Sequence, residues 1–326
     1  MAKQKKALLF INAKKGEARA LAERIRSALE SRSYGVDAYS FGSGTAETGI
    51  ALEAGSYDIA FSLGGDGTVL SASRVMGPLN APVLPVNLGS LGFIAAVLPE
   101  HWEETFTRWE RGRALISRRL MLELTVERRG ETVFRSNCLN EAVISASGIA
   151  KLIRLEVSAE IAPPETGTAK AVVPETAAPG GVPAASVMGE RLSLGHFRAD
   201  GLIVATPTGS TGYSVAAGGP IIDPEMDLVI INPICPFTLS SRPIVVPPDE
   251  RIITLVEPEQ RSAVLLTVDG QITSPLEAGD LVTIRRAPYT LRLIASDRWA
   301  FYRALRTKLA WSGGGSRTSW GGTYDA

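Results

Sequence analysis

Gly64, Gly65, Asp66, Gly67 and Thr68 are the first residues in the chain whose types and spacing could do chemistry. The apolar run over 57–63 reads as a strand, and 69–76 reads as the first turns of a helix. Glycine permits positive φ and lets a ligand approach bare backbone N–H groups. The helix start adds unpaired N–H donors and the positive end of a dipole, which suits phosphate. Asp66 is the odd member, since a carboxylate repels phosphate. It can accept a proton from an attacking hydroxyl, sit beside a magnesium ion, or cap the helix of an ordinary strand-to-helix turn.

Two further stretches hold polar groups in useful company. Asn140 and Glu141 follow Cys138 and Leu139 at the mouth of a strand. A carboxylate beside an amide that both donates and accepts suits a sugar diol; the alternative is a turn residue followed by a surface charge. Over 200–220 a strand runs into glycines and small hydroxyls, with Tyr213 as the one aromatic. Small residues leave room for a planar ligand, and Tyr213 can stack on it; the alternative is a tight crossover with Tyr213 in the core.

Composition removes several other chemistries. The two histidines, His101 and His196, argue against a His-based triad or a His/Cys metal site. Lys+Arg and Asp+Glu both number 34, and a net charge of +0 argues against nucleic acid as the main partner. Cys138 and Cys235 make no disulfide framework and point to the reducing cytoplasm. The basic, then apolar, start is too short for a secretory signal, and no stretch reaches the ~18 apolar residues of a spanning helix, so no membrane partner is expected.

The elements that must position these residues follow from hydrophobic period. Buried strands over 7–12, 35–39, 57–63 and 82–87 alternate with helices over 17–30, 47–54 and after the glycine turn. That alternation implies an α/β domain over 1–116 with a doubly wound parallel sheet, whose ligands bind beyond the carboxyl ends of the strands. From 117 to 296 the pattern shifts to period two: Leu120, Leu122, Leu124 and Val126 alternate with Met121, Glu123, Thr125 and Glu127. Many short strands follow, including separate ones over 281–284 and 290–294, so the second domain is mostly β and sandwich-like. A helix over 299–310, within 297–312, returns to the first domain. Residues 159–190, rich in Ala, Pro, Gly and Glu, read as a mobile insertion, and 313–326 as a disordered tail.

In order, the Gly64 to Thr68 group, Asn87-Leu88-Gly89-Ser90-Leu91-Gly92-Phe93, Asn140-Glu141, the 200–220 stretch, Arg242-Pro243-Ile244-Val245-Val246-Pro247 and Val268-Asp269-Gly270-Gln271 resemble the successive motifs of the bacterial NAD kinases. The 200–220 stretch is specific; the glycine group alone has close variants in lipid kinases and phosphofructokinases. The resemblance covers nearly the whole chain. It implies phosphorylation of the 2′-hydroxyl of the adenosine ribose of NAD by ATP, another nucleotide or polyphosphate, giving NADP. It also implies NAD held between the two domains and a homodimer or homotetramer. The divalent cation, most simply Mg2+, would be held by phosphates rather than by a protein cage.

Residue by residue, the resemblance makes Asp66 the proton acceptor, with Gly65, Gly67 and Thr68 beside it in contact with ligand. Phe93 lines the adenine side, and Asn140 and Glu141 bind the ribose. Asp200 stands near the nicotinamide end. Thr208, Thr211, Gly212, Tyr213, Ser214, Val215 and Ala216 wall the dinucleotide, and Lys151, Arg198 and Gln271 add polar contacts. Three departures stand out. Phe237 occupies a position where many members carry His, Gly212 replaces a frequent Ala, and the 159–190 insertion alters the spacing from Lys151 to Arg198. The same residues also allow a lipid kinase with the glycine motif, or a dinucleotide sensor that does not catalyse. The missing basic amphipathic helix weighs against the first, and Asp66 against the second.

Overall fold

The computed structural model describes residues 4–41, 56–89, 92–148, 152–161, 191–238, 240–295, 297 and 299–309. The anticipated helix over 47–54, Lys151, residues 162–190 and the tail over 313–326 lie outside them. The first elements are β1 (Lys6–Asn12), α1 (Gly16–Glu30), β2 (Gly35–Phe41), β3 (Ile59–Gly64), α2 (Asp66–Leu79), β4 (Val83–Asn87) and α3 (Trp102–Glu110). The strands lie in the order β2-β1-β3-β4, each pair parallel. Alternation along β1 decides which helix covers which face. Ala7, Leu9 and Ile11 pack with Leu21, Ile25 and Leu29 of α1 and with Phe106 of α3. Leu8 and Phe10 pack with Val69, Ala72 and Met76 of α2. Helices therefore cover both faces, as the alternation of strands and helices requires. Helix α3 is absent from the sequence reading; at nine residues it shows too few turns for a clear period.

The remaining elements are β5 (Leu115–Arg128), β6 (Glu131–Cys138), β7 (Glu141–Ala146), β8 (Ile153–Ile161), β9 (Arg191–Ala199), β10 (Gly201–Ala205), α4 (Tyr213–Ala216), β11 (Val229–Ile234), β12 (Ile244–Val246), β13 (Glu250–Val256), β14 (Val264–Val268), β15 (Ile272–Leu276), β16 (Leu281–Ala295) and α5 (Ala300–Lys308). Six of these strands form an antiparallel sheet in the order β12-β11-β10-β7-β14-β15. The others extend the first sheet beyond β4 as β16-β13-β8-β9, with β5 and β6 branching from β16. Leu122, Leu124 and Val282 meet Ile144, Leu202, Val204 and Leu266 between the two sheets, which makes a sandwich core. Strand β16 joins the halves: it pairs parallel with β4 at Leu293 and Val83, and antiparallel with β5 and β13.

Three details correct the sequence reading. The strands anticipated over 281–284 and 290–294 are one strand, β16, with a register shift between Arg286 and Thr290; the charged Arg285 and Arg286 hid its continuity. Ala159, Glu160 and Ile161, assigned to the insertion, continue β8 and pair with Ile252, Arg251 and Glu250 of β13. Met121, on the solvent side of the period-two pattern, is fully buried because α2 covers it. A Cβ at Gly77 of α2 would lie 2.6 Å from Met121 Sδ.

Candidate active site

The glycine turn between β3 and α2 works by close approach, not by left-handed backbone. None of Gly64, Gly65 and Gly67 has positive φ, and Gly65 is extended at φ −118°. A Cβ on Gly64 would overlap Thr68 Oγ1, so the strand end lies directly on the helix start. Thr68 is buried there and accepts a hydrogen bond from Asn12 Nδ2 at 3.5 Å, supporting the turn from below. Gly65 is different: a Cβ there meets nothing within 4 Å. At the start of α2 the N–H groups of Asp66 and Gly67 lack intrahelical partners, while that of Thr68 donates to Gly65 O at 2.9 Å.

Asp66 does not cap its own helix. Its Oδ2 accepts the N–H of Phe93 at 2.9 Å, and its Oδ1 accepts those of Ile94 and Ala95 at 3.1 and 2.8 Å. Gly92 makes this possible, since a Cβ there would overlap the carboxylate. Three of about four lone-pair positions are filled, and the one left belongs to Oδ2. The side chain is neither locked in the core nor fully in solvent. The segment it holds presents Phe93, whose ring meets Phe301 of α5 at 6.1 Å and lies beneath Lys308 Nζ at 5.2 Å. Arg119 is buried nearby; burial depresses its pKa, against the charges of Glu225, Asp223 and Asp66.

The second half of the site is the turn entering β7. Thr206 donates its N–H to Asn140 O at 2.9 Å and its Oγ1 hydrogen to Leu139 O at 2.5 Å. Asp269 holds the same turn from the other side. Its carboxylate accepts the N–H groups of Leu139, Asn140 and Glu141 at 3.1, 2.7 and 3.3 Å. Asp269, Gly270 and Gln271 form a three-residue hairpin loop joining β14 to β15, with φ of 50° at Asp269 and 65° at Gly270. The 3₁₀ turn over Thr208–Thr211 docks so closely that a Cβ on Gly209 would overlap Asn140 O. Gly212 is equally confined, with Glu141 Oε2 2.7 Å from where its Cβ would be.

Packing of this kind strands polar atoms. Asn140 Oδ1, Glu141 Oε2 and Thr208 Oγ1 are buried with no hydrogen-bond partner. Buried polar atoms without partners cost stability, so three of them gathered at one turn make it a candidate for a polar ligand. Burial pushes the Glu141 carboxyl up to about 8, and the charge of Asp269 adds to the effect while the Tyr213 N–H opposes it. The two halves touch through Gln271. Its Nε2 donates to Gly67 O at 2.8 Å, and its Oε1 accepts from Ser71 Oγ of α2 at 2.9 Å.

The sequence-derived site residues separate into groups. Asp66, Gly65, Gly67 and Thr68 come together with Phe93; Asn140 and Glu141 come together with Thr208, Gly212 and Tyr213. Thr211 donates its hydroxyl to Thr208 O at 3.2 Å. Ser214 is buried and takes hydrogen bonds from Asn232 Nδ2, so it holds the wall from behind, while the Tyr213 ring and Ala216 are exposed and Val215 is partly so. Gln271 spends both ends of its amide on α2. Arg198 and Asp200 are not brought to Asn140 within this chain. Glu141 pairs with Ala205, at the far end of β10 from Asp200, about 16 Å away at the usual strand rise. Arg198 instead lies 5.2 Å from the exposed Phe237 ring. Asp269 and Arg74 were missed as site residues, although the Asp-Gly pair is a hairpin signal and burial of its carboxylate is invisible in sequence.

This architecture has close counterparts. A family model described as the ATP-NAD kinase N-terminal domain matches residues 7–114, and one described as the ATP-NAD kinase C-terminal domain matches 171–296. The chain belongs to the NAD kinase family. An NAD kinase of Treponema denticola is 35% identical over 312 residues, 96% of this chain and 98% of that protein. An NAD kinase of Citrifermentans bemidjiense is 39% identical over 264 residues, 81% of this chain and 80% of the relative. The fold matches a crystal structure of yeast NADH kinase with NADH at a TM-score of 0.75 and 19% identity, covering 98% of this chain and 91% of that one. It also matches an NAD kinase from Archaeoglobus fulgidus with ATP at 0.62 and 22%, covering 94% and 98%. In this chain the parallel α/β layer and the antiparallel β layer meet where Gln271 reaches α2.

Proposed function

We propose that this chain transfers the terminal phosphoryl group of ATP, or of another nucleotide or polyphosphate, to the 2′-hydroxyl of the adenosine ribose of NAD, giving NADP. The observation that carries the reading is the set of stranded acceptors, Asn140 Oδ1, Glu141 Oε2 and Thr208 Oγ1, joined through Gln271 to the glycine turn. A ribose supplies hydroxyl donors that such acceptors lack. Gly65 and the first N–H groups of α2 would receive donor phosphates. Asp66, held rigid by three N–H groups, would accept the 2′-hydroxyl proton on the open lone pair of Oδ2. Phosphoryl transfer asks for positioning and charge neutralisation more than covalent help.

Among the described residues no three His, Cys, Asp or Glu side chains gather as a metal cage. A magnesium ion fits this donor set, because it keeps several waters and takes one or two carboxylates besides substrate phosphates. Substrate phosphates would hold it, with Asp66 as the one carboxylate of the glycine turn. When bound, the ion would supply charge neutralisation on the phosphates.

The reading includes work in the cytoplasm, supported by two free cysteines, and assembly as a homodimer or homotetramer. No helix among the described residues is long and apolar enough to cross a membrane. The deciding experiment incubates the full chain with NAD, ATP and Mg2+ and follows NADP with an NADP-specific dehydrogenase. Steady NADP formation is the expected result. NAD binding without NADP formation from any of ATP, GTP or polyphosphate would sink the proposal.

A further inference from the structure

A buried carboxylate stands behind the acceptor pair, and the donor-side helix supplies its cation. Arg74 lies about two turns along α2 from Asp66. Its Nη2 donates to Gln271 Oε1 at 2.8 Å and its Nη1 to Leu70 O at 3.2 Å. The same Nη1 stands 3.7 Å from Asp269 Oδ2, with the two side chains 9% and 0% exposed. Asp269 in turn holds the N–H groups of Leu139, Asn140 and Glu141. One guanidinium on the helix of the phosphate turn is thus a single step from the peptide units that aim the ribose pair.

We propose that Arg74 is a positioning residue for the acceptor site: from α2 it fixes the Asp269–Gln271 hairpin, and through Asp269 it sets the placement of Asn140 and Glu141. The inference rests on the NAD kinase reading. A buried carboxylate that loses its cation tends to neutralise by taking a proton. Protonated Asp269 would lose acceptor capacity while three N–H donors still need it. The planar fork of Arg serves Asp269 and Gln271 together, which the point charge of Lys does not.

Four elements face this carboxylate pair with titratable or charged groups. Asp269 comes from the β14–β15 hairpin, Glu141 from β7, Cys138 from the end of β6 and Arg74 from α2, while the Tyr213 N–H faces Glu141 from α4. Burial raises Asp269, and the Arg74 charge and the three N–H groups oppose it. Loss of Arg74 therefore lets the Asp269–Glu141 pair hold its proton to higher pH, and the pair titrates as a unit. On the NAD kinase reading Glu141 is the ionisable acceptor for the ribose, so kcat/KM for NAD falls as pH drops through that range.

The test uses the full chain, with kcat and KM for NAD and for ATP measured from pH 6 to 9.5. Arg74→Met should raise KM for NAD at least tenfold, with kcat at saturating NAD within about threefold and KM for ATP little changed. Its acid limb should move up by about one pH unit. Arg74→Lys should return the limb to its wild-type place while KM for NAD stays raised. A uniform loss of kcat at every pH with the limb unmoved would reduce Arg74 to a packing role and overturn the inference. If Arg74→Met does not fold by circular dichroism, Arg74→Lys decides: a wild-type KM for NAD overturns the proposal, and a raised one supports it. A wild-type protein that makes no NADP fails the functional reading instead. Calorimetry of NAD binding over the same pH range then carries the test of Arg74.

Discussion

Asp66 has one structural job and one proposed chemical role, and a single substitution probes both. It accepts three N–H groups that fix the segment carrying Phe93, and it keeps one lone pair for chemistry. In Asp66→Asn an amide NH2 must face one of those N–H groups, which costs about 1–3 kcal/mol of stability. Loss of a general base costs roughly 10²–10⁴ in rate, or about 3–5 kcal/mol of barrier. Asp66→Asn should therefore fold, melt lower than wild type, and lose turnover by that larger factor; near-wild-type kcat would remove Asp66 from the chemistry. Glu141 yields a separate signature in stability. Its folded carboxyl holds a proton up to about 8, while the unfolded one releases it near 4.3. Across that window the folded state binds more protons than the unfolded state, so stability declines as pH rises and levels off above about 8. Glu141→Gln should abolish that decline. It should melt close to wild type at pH 5 and several degrees higher at pH 8.5, and equal melting temperatures at both pH values would refute the assignment.

At the scale of elements, the glycine turn can be tested without touching its fold. Gly65 has no positive φ, and a Cβ there meets no protein atom within 4 Å. Gly65→Ala should leave the unfolding free energy within about 0.5 kcal/mol of wild type, as for a surface change. If donor phosphates approach that backbone, the added methyl should raise KM for ATP tenfold or more. Unchanged KM for ATP would move the phosphates elsewhere. The same turn shows what sequence could and could not reveal. Strong apolar runs and the glycine cluster made β1, β3, α2 and β4 legible, because local pattern and tertiary role agree there. Strand β16 was read as two pieces because Arg285 and Arg286 break its pattern, and its continuity is set by pairing with β5. The link from Asp66 to Phe93, Ile94 and Ala95 joins residues 27 to 29 apart, and no local period reports such a bond. Asp269 was legible only as part of the motif Val268-Asp269-Gly270-Gln271, and its grip on Leu139, Asn140 and Glu141 depends on two chain segments about 130 residues apart.

On the scale of the whole molecule, the two halves are not separable bodies joined by a linker. Strand β16 lies between β4 of the parallel layer and β13 of the sandwich, and it also pairs with β5. One apolar cluster mixes Val69, Leu70 and Met76 of α2 with Met121, Leu139, Ala287 and Leu291 from the later strands. Unfolding the α/β layer alone would bare that shared surface and break the β4–β16 edge, so neither half can open cheaply by itself. The expected outcome is one cooperative transition in urea. Trp102, which packs against Phe61 in the α/β layer, reports that half by fluorescence once the other four tryptophans are replaced by Phe. Amide hydrogen exchange at Leu202 and Val204 of β10 and Leu266 of β14, all buried in the sandwich, reports the other. Both probes should give the same midpoint, and NAD should raise both by the same increment, since a ligand held by the native state stabilises whatever unfolds with its site. Separate midpoints, or an increment confined to the sandwich probe, would show that the halves unfold independently. Asp66 would then be coupled to Glu141 only through the side-chain contacts of Gln271 and Arg74, and not through a common sheet.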